Sequence, residues 1–167
     1  MIHQPHPDTG SSSIACAVVT VSDTRSHESD RSGSLIQKLL RDAGHAVVAY
    51  SILKDEPNQI QTYLQVLAKR SDIQAVVVNG GTGIAQRDTT YDALVGLLEK
   101  TLPGFGEVFR WLSYQEIGSR AIASRAVAGV YHRKLIFSIP GSTGAVTLAM
   151  ERLILPELIH LVTQVEP

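Results

Sequence analysis

The sequence predicts an α/β three-layer sandwich with a mostly parallel sheet, and three observations carry that expectation. Apolar runs such as Ile14-Ala15-Cys16-Ala17-Val18-Val19 and Ile73-Gln74-Ala75-Val76-Val77-Val78 alternate with segments whose apolar residues recur at helical spacing. These runs are nearly continuous rather than alternating with polar residues, as in strands covered on both faces. Polar or glycine-rich loops follow the carboxyl ends of four strands, the end at which open α/β sheets bind ligands. Helices on both faces and short right-handed connections complete the architecture.

Residues 1–13, with Pro5, Pro7, Gly10 and a run of serines, hold nothing apolar enough to order them and read as a loose tail ahead of a single domain over 14–167. His3 and His6 lie in that tail without carboxylate or cysteine partners, so no metal site is expected there. Ile14 to Ser22 reads as the first core strand. Leu35, Ile36, Leu39 and Leu40 mark one face of a helix over Ser34 to Asp42, with Gly44 as its stop. His45 to Leu53 is rich in β-branched and aromatic residues, as a second strand would be, and Pro57 opens a helix carrying Ile60, Leu64 and Leu67. Ile73 to Asn79 is the third strand, and Thr90 to Leu98 reads as helix. Ala126–Val130 and Leu135–Ile139 flank a His132-Arg133-Lys134 tip, so a hairpin should add an antiparallel edge. Val146 to Val162 closes the chain as a helix that Pro156 should kink or divide.

Composition bounds the function. With 44% apolar and 19% charged residues in 167, the chain is globular and long enough for a real core. A net charge of -1 supplies no overall field for nucleic acid or anionic lipid, so neither is an expected partner and any anionic ligand must be held locally. The single cysteine, Cys16, excludes an internal disulfide and fits a reducing compartment. No run approaches the roughly 18 apolar residues of a membrane span, and the first residues lack a signal-peptide core; the expected location is cytoplasmic.

Gly80-Gly81-Thr82-Gly83, directly after the third strand, is the most informative segment. Three glycines in four positions permit positive φ and close approach of backbone N–H groups to phosphate oxygens. The run is neither a Walker loop nor a dinucleotide fingerprint. Arg87 and Asp88 follow it. A carboxylate beside a phosphate cradle repels the ligand unless a divalent cation lies between them, and Mg²⁺, bound by one or two carboxylates plus substrate phosphates, meets that need. Asp23, Arg25, Asp30, Arg31, Ser32 and Gly33 follow the first strand, Asp55-Glu56-Pro57-Asn58 the second, and Pro140-Gly141-Ser142-Thr143-Gly144 the last. Helix capping by Asp30, Ser32 or Asp55 accounts for part of this without any ligand. No nucleophile–base arrangement is evident: Ser124 lacks His and Asp partners, so positioning and charge neutralisation, as in phosphoryl or nucleotidyl transfer, is the expected mechanism. The aromatic stretch from Phe105 to Tyr114 reads as core or subunit contact.

Taken in order, Thr20-Val21-Ser22-Asp23, Asp30-Arg31-Ser32-Gly33, Gly80-Gly81-Thr82-Gly83 with Arg87-Asp88, Pro103-Gly104-Phe105-Gly106-Glu107, Ser124-Arg125-Ala126-Val127-Ala128-Gly129 and Pro140-Gly141-Ser142 resemble the MoaB/MogA family of molybdenum cofactor biosynthesis proteins. The resemblance covers about residues 14 to 162 and leans towards the MoaB branch in Phe105–Gly118 and in the Pro140 loop. It implies a molybdopterin-binding fold, a trimer or hexamer, and adenylylation of molybdopterin by Mg·ATP before a molybdenum-inserting protein takes the product. It also implies roles: Asp55 and Asp88 as catalytic, Mg²⁺-holding acids, Gly80, Gly81, Thr82 and Gly83 as the phosphate cradle, and Asp23, Ser32, Arg87, Ser124, Gly141 and Ser142 as binding residues. The alternative is a catalytically quiet molybdopterin-binding or carrier protein of the same pathway.

Overall fold

A computed structural model describes residues 13–165, so all but the last residue of the expected tail lies outside the described residues. The strands are β1 (Ala15–Val21), β2 (Ala46–Leu53), β3 (Ala75–Asn79), β4 (Lys100–Thr101), β5 (Val127–Tyr131) and β6 (Lys134–Ile139). They form one sheet in the order β2-β1-β3-β6-β5-β4. The first four in that order run parallel, while β5 pairs antiparallel with β6 and with β4. The expected hairpin edge is therefore present. Its tip is His132-Arg133, both at positive φ, with Lys134 already in β6.

Strand periodicity divides the core in two. Cys16 and Val18 of β1 with Ala75 and Val77 of β3 face one layer, while Ala17, Val19, Val76 and Val78 face the other. On the first face lie α1 (Arg31–Asp42), α4 (Pro103–Ile117) and the closing helical stretch, which contribute Ile36, Leu40, Phe109, Val146 and Leu158. The second face is covered by α2 (Pro57–Ala68) and α3 (Thr90–Val95) through Ile60, Leu64, Leu67, Ala93 and Leu94. This is the expected three-layer sandwich. Cys16 is fully buried, and burial pushes its thiol up to about 12, so it packs as a small apolar side chain.

Two helical regions carry residues that local propensity counts against a helix. Residues 103–117 form α4, a helix of 15 residues, although Pro103, Gly104 and Gly106 argue against helix locally; Pro103 occupies the first turn, where its missing N–H is harmless. The closing helix runs as α5 (Thr143–Ala149), a π turn (Met150–Ile154) and α6 (Leu155–Val165). Where the sequence predicts a kink or two abutting helices, the π turn ends one residue short of Pro156, with Leu155 N–H donating to Met150 O. Widening that turn admits the proline ring without breaking the helix.

The sheet order also sets the site. From β1 the chain crosses to β2 on one side, and β3 then lies on the other side of β1, so the connections leave in opposite directions. Beside that switch point a cleft opens at the carboxyl ends of β3 and β6, lined by Gly81, Thr82 and Gly83 after the one and Pro140, Gly141 and Ser142 after the other.

Candidate functional site

The turn after β3 is held by backbone from both neighbouring strands. Gly80 has φ +102, its N–H donates to Ile139 O at 3.0 Å, and a Cβ there would sit 2.2 Å from Val21 O. Gly81 has φ +62, and its Cβ would meet Thr90 Oγ1 at 2.1 Å and Asp55 Oδ2 at 2.4 Å. A Cβ on Gly83 would lie 2.6 Å from Asp88 Oδ2. Close packing of the chain on itself already requires Gly80 and Gly81, a reason that is independent of any ligand.

A cleft of about 320 Å³ opens beside this turn. Its polar side joins Gly81, Thr82, Gly83 and Asp88 to Ser124, Gly141 and Ser142, seven of the residues expected at the site. The opposite side comes from α4, whose Phe109, Ser113 and Ile117 recur every four residues and so share one helical face. Phe109 belongs to the core, whereas Ile117 is 58% exposed. The cleft thus pairs a backbone-rich polar wall with an apolar one, a combination suited to a flat ring carrying a phosphate.

The remaining expected residues frame the cleft rather than line it. Asp55 is buried, and its Oδ1 accepts from Thr89 N–H at 3.1 Å and Thr89 Oγ1 at 2.7 Å, fastening the start of α3. Its Oδ2 is the oxygen that abuts Gly81. Asp23 Oδ1 accepts from Asp55 N–H, and Asp23 Oδ2 accepts from Arg87 at 2.7 Å. Arg87 also pairs with Glu56 at 3.2 Å. The Arg87 hydrogen bond, seconded by the Asp55 N–H, holds the Asp23 carboxyl below its usual range. Asp88 Oδ2 accepts from Ala85 N–H at 3.0 Å, which shapes the loop that presents it to the cleft.

Ser32, expected to line the pocket, is instead buried beneath Arg25. Its hydroxyl donates to Asn79 Oδ1 at 2.8 Å, and Asn79 Nδ2 donates to Thr20 Oγ1 at 2.8 Å. Thr20 Oγ1 in turn donates to Asp30 Oδ2 at 2.5 Å, and the Tyr50 hydroxyl reaches the same oxygen at 2.6 Å. Asp30 also caps α1 by accepting from Gly33 N–H. Burial alone would raise its carboxyl, but the hydrogen bonds from Thr20, Tyr50, Gly33 and Ser32 outweigh burial and hold it below the usual range. Arg25 ties this network to the cleft: Nη1 donates to Ser32 Oγ and Nη2 to Gly141 O at 3.0 Å.

Sequence reasoning placed Arg25 in the loop after the first strand and quoted Thr20 and Arg125 within motifs but gave none of the three a role, and it passed over Tyr50 and Asn79. The Arg125 guanidinium donates to Gly83 O at 3.0 Å and Asp88 O at 2.9 Å, and it pairs with Asp92 at 3.0 Å while lying over the Tyr91 ring. One side chain thus clamps both ends of the loop that carries Asp88. The available signal was Arg125 beside Ser124 at the entry to a strand of the same sheet.

A mostly parallel sheet with helices on both faces, and a cleft at its strand ends walled by a glycine turn and an apolar helix face, define an α/β protein of the open-sheet, ligand-binding class. Residues 17–160 match the family described as "Probable molybdopterin binding domain". The chain is 54% identical over 163 residues to molybdenum cofactor biosynthesis protein B of Halalkalibacterium halodurans, covering 97% of this chain and 96% of that one. A crystal structure of molybdenum cofactor biosynthesis protein B superposes with a TM-score of 0.89 at 50% identity, over 91% of this chain and 95% of the other. The tungsten cofactor synthesizing protein MoaB from Pyrococcus furiosus superposes with a TM-score of 0.84 at 34% identity, over 95% and 100% of the two chains. The chain belongs to this molybdopterin-binding family of molybdenum cofactor biosynthesis proteins.

Proposed function

We propose that this protein binds molybdopterin and adenylylates it with Mg·ATP ahead of metal insertion. The observation that carries the reading is the placement of two carboxylates on either side of one glycine turn: Asp55 Oδ2 against Gly81 and Asp88 Oδ2 against Gly83. The donor set fits Mg²⁺. Among the described residues no group of three His, Cys, Asp or Glu gathers to hold a resident metal, so an ion here would take one or two carboxylates and complete its shell with substrate phosphate and water. When bound, Mg²⁺ neutralises phosphate charge. Asp88 and the free oxygen of Asp55 would hold it, backbone N–H groups of 81–83 would orient the phosphates, and the face of α4 would exclude water from the ring.

In the transfer, an oxygen of the molybdopterin terminal phosphate attacks the α-phosphorus of ATP. The new P–O bond forms as the bond to the β-phosphate bridging oxygen breaks, and pyrophosphate leaves. The resemblance adds a homo-oligomer, trimer or hexamer, and hand-off of the product to a molybdenum-inserting protein, and the cytoplasmic location expected from the sequence suits that role. A second reading, a molybdopterin carrier without turnover, is favoured by one fact: Asp55 Oδ1 and Asp88 both serve hydrogen bonds within the chain. Incubation of the purified protein with molybdopterin, ATP and Mg²⁺ separates the two. Adenylylated product supports the enzyme; retained molybdopterin without product supports the carrier.

A further inference from the structure

We infer that Arg120 is the residue of this cleft that recognises the ligand's phosphate charge, an inference that rests on reading the cleft as a phosphate-ligand site. The cations around the cleft differ in what they already hold. Arg25 is bonded to Asp30, Ser32 and Gly141 O; Arg87 to Asp23 and Glu56; Arg125 to Asp92, Gly83 O and Asp88 O. Arg120 also lines the cleft, and it has no ion pair or hydrogen bond among the described residues. Its position there is built by the chain. Gly118, at φ +65, ends α4 and turns the chain into a 3₁₀ segment, Gly118–Ala123, which places Arg120 and Ala121 at the cleft.

Electrostatics favour an unengaged cation in the cleft, in addition to the Mg²⁺ that the carboxylates would hold. The acid lining the cleft is Asp88, and the cradle on that wall offers only neutral N–H groups. A phosphate arriving there meets a like charge, which a planar guanidinium lining the same cleft can offset through paired N–H donors. Arg25, Arg87 and Arg125 could serve only by giving up bonds that hold the loops in place. Arg120 gives up nothing.

Two phosphates could be its target: the monoester of molybdopterin or the triphosphate of the nucleotide. The test measures affinity of wild type, Arg120→Ala, Arg120→Lys and Arg120→Glu for three probes separately, molybdopterin, Mg·ATP and inorganic tripolyphosphate, with thermal midpoints as a control on folding. Arg120→Ala should weaken at least one bound probe by about tenfold, and Arg120→Lys by less. Arg120→Glu should weaken it more, and the salt dependence of that probe's binding should be shallower in Arg120→Ala. All thermal midpoints should stay unchanged. Which probe responds identifies the source of the phosphate. A loss below about threefold for every probe the wild type binds overturns the inference. Binding of tripolyphosphate alone, lost in Arg120→Ala, keeps Arg120 and removes the molybdopterin reading; binding of none removes both.

Discussion

Two residues beside the glycine turn separate chemistry from scaffolding. Asp88 both faces the cleft and accepts the Ala85 N–H, so truncation to Ala removes charge and loop support together. Asp88→Asn keeps an acceptor for that N–H while removing the charge. Asp88→Asn should retain wild-type stability within about 1 kcal/mol and lose adenylylation by about a hundredfold or more, read as product formed per hour. Full activity in Asp88→Asn would remove this carboxylate from the mechanism. Gly81 behaves differently. A Val there must adopt φ +62 and drive its Cβ into Thr90 and Asp55, so Gly81→Val should destabilise the fold by about 3 kcal/mol or more, measured by urea unfolding. The glycines were conspicuous in the sequence, but their reason was not: the crowding atoms belong to Val21, Asp55 and Thr90, which only the fold brings near.

Between elements, Asp30 is the joint on which β1, β2, β3 and α1 meet. Thr20 and Tyr50 bond it directly, Asn79 reaches it through Thr20 and Ser32, and Gly33 is capped by it. Capping by Asp30 was legible from its position ahead of a helical face. Its partners were not, because their separations in sequence, such as the 47 residues between Ser32 and Asn79, leave no local pattern. The same is true of Arg125 and Asp92, and α4 was hidden by glycines that local propensity counts against a helix. Since folding lowers the Asp30 pKa, its contribution to stability is complete above the unfolded value of about 3.9 and is lost as pH falls through the folded pKa. Stability measured from pH 6 down to pH 2 should therefore fall, and Asp30→Asn should start lower and fall less steeply. Equal acid slopes for the two proteins would show that other carboxylates govern the decline. Asp30→Ala, which strands several donors in the interior, should cost about 3 kcal/mol or more at neutral pH.

At the scale of the whole molecule, the sheet was readable because β1 and β3 are nearly uninterrupted apolar runs and β6 closes the same pattern. What the helices leave outward is a different matter. Trp111, Tyr114 and Ile122 are 61%, 59% and 82% exposed, and Arg110, Trp111, Tyr114, Ala121 and Ile122 line one shallow depression on α4 and the segment after it. Phe105 and Phe109 of the same stretch turn inward, Phe105 against Phe137 and Phe109 into the core, so the aromatic run serves two purposes according to helical face. Large apolar side chains gathered on a surface mark contact sites, and assembly into the expected trimer or hexamer is the occupant proposed for this one. Trp111 is the chain's only tryptophan, so its fluorescence reports this face alone. Emission should be blue-shifted at micromolar concentration and move to the red on dilution as subunits part, in step with sedimentation. Trp111→Glu should sediment as a smaller species with its circular dichroism unchanged, because the side chain lies outside the core. A wild-type protein that sediments as a monomer, with tryptophan emission already that of a solvated indole, would leave the α4 face without the subunit contact assigned to it.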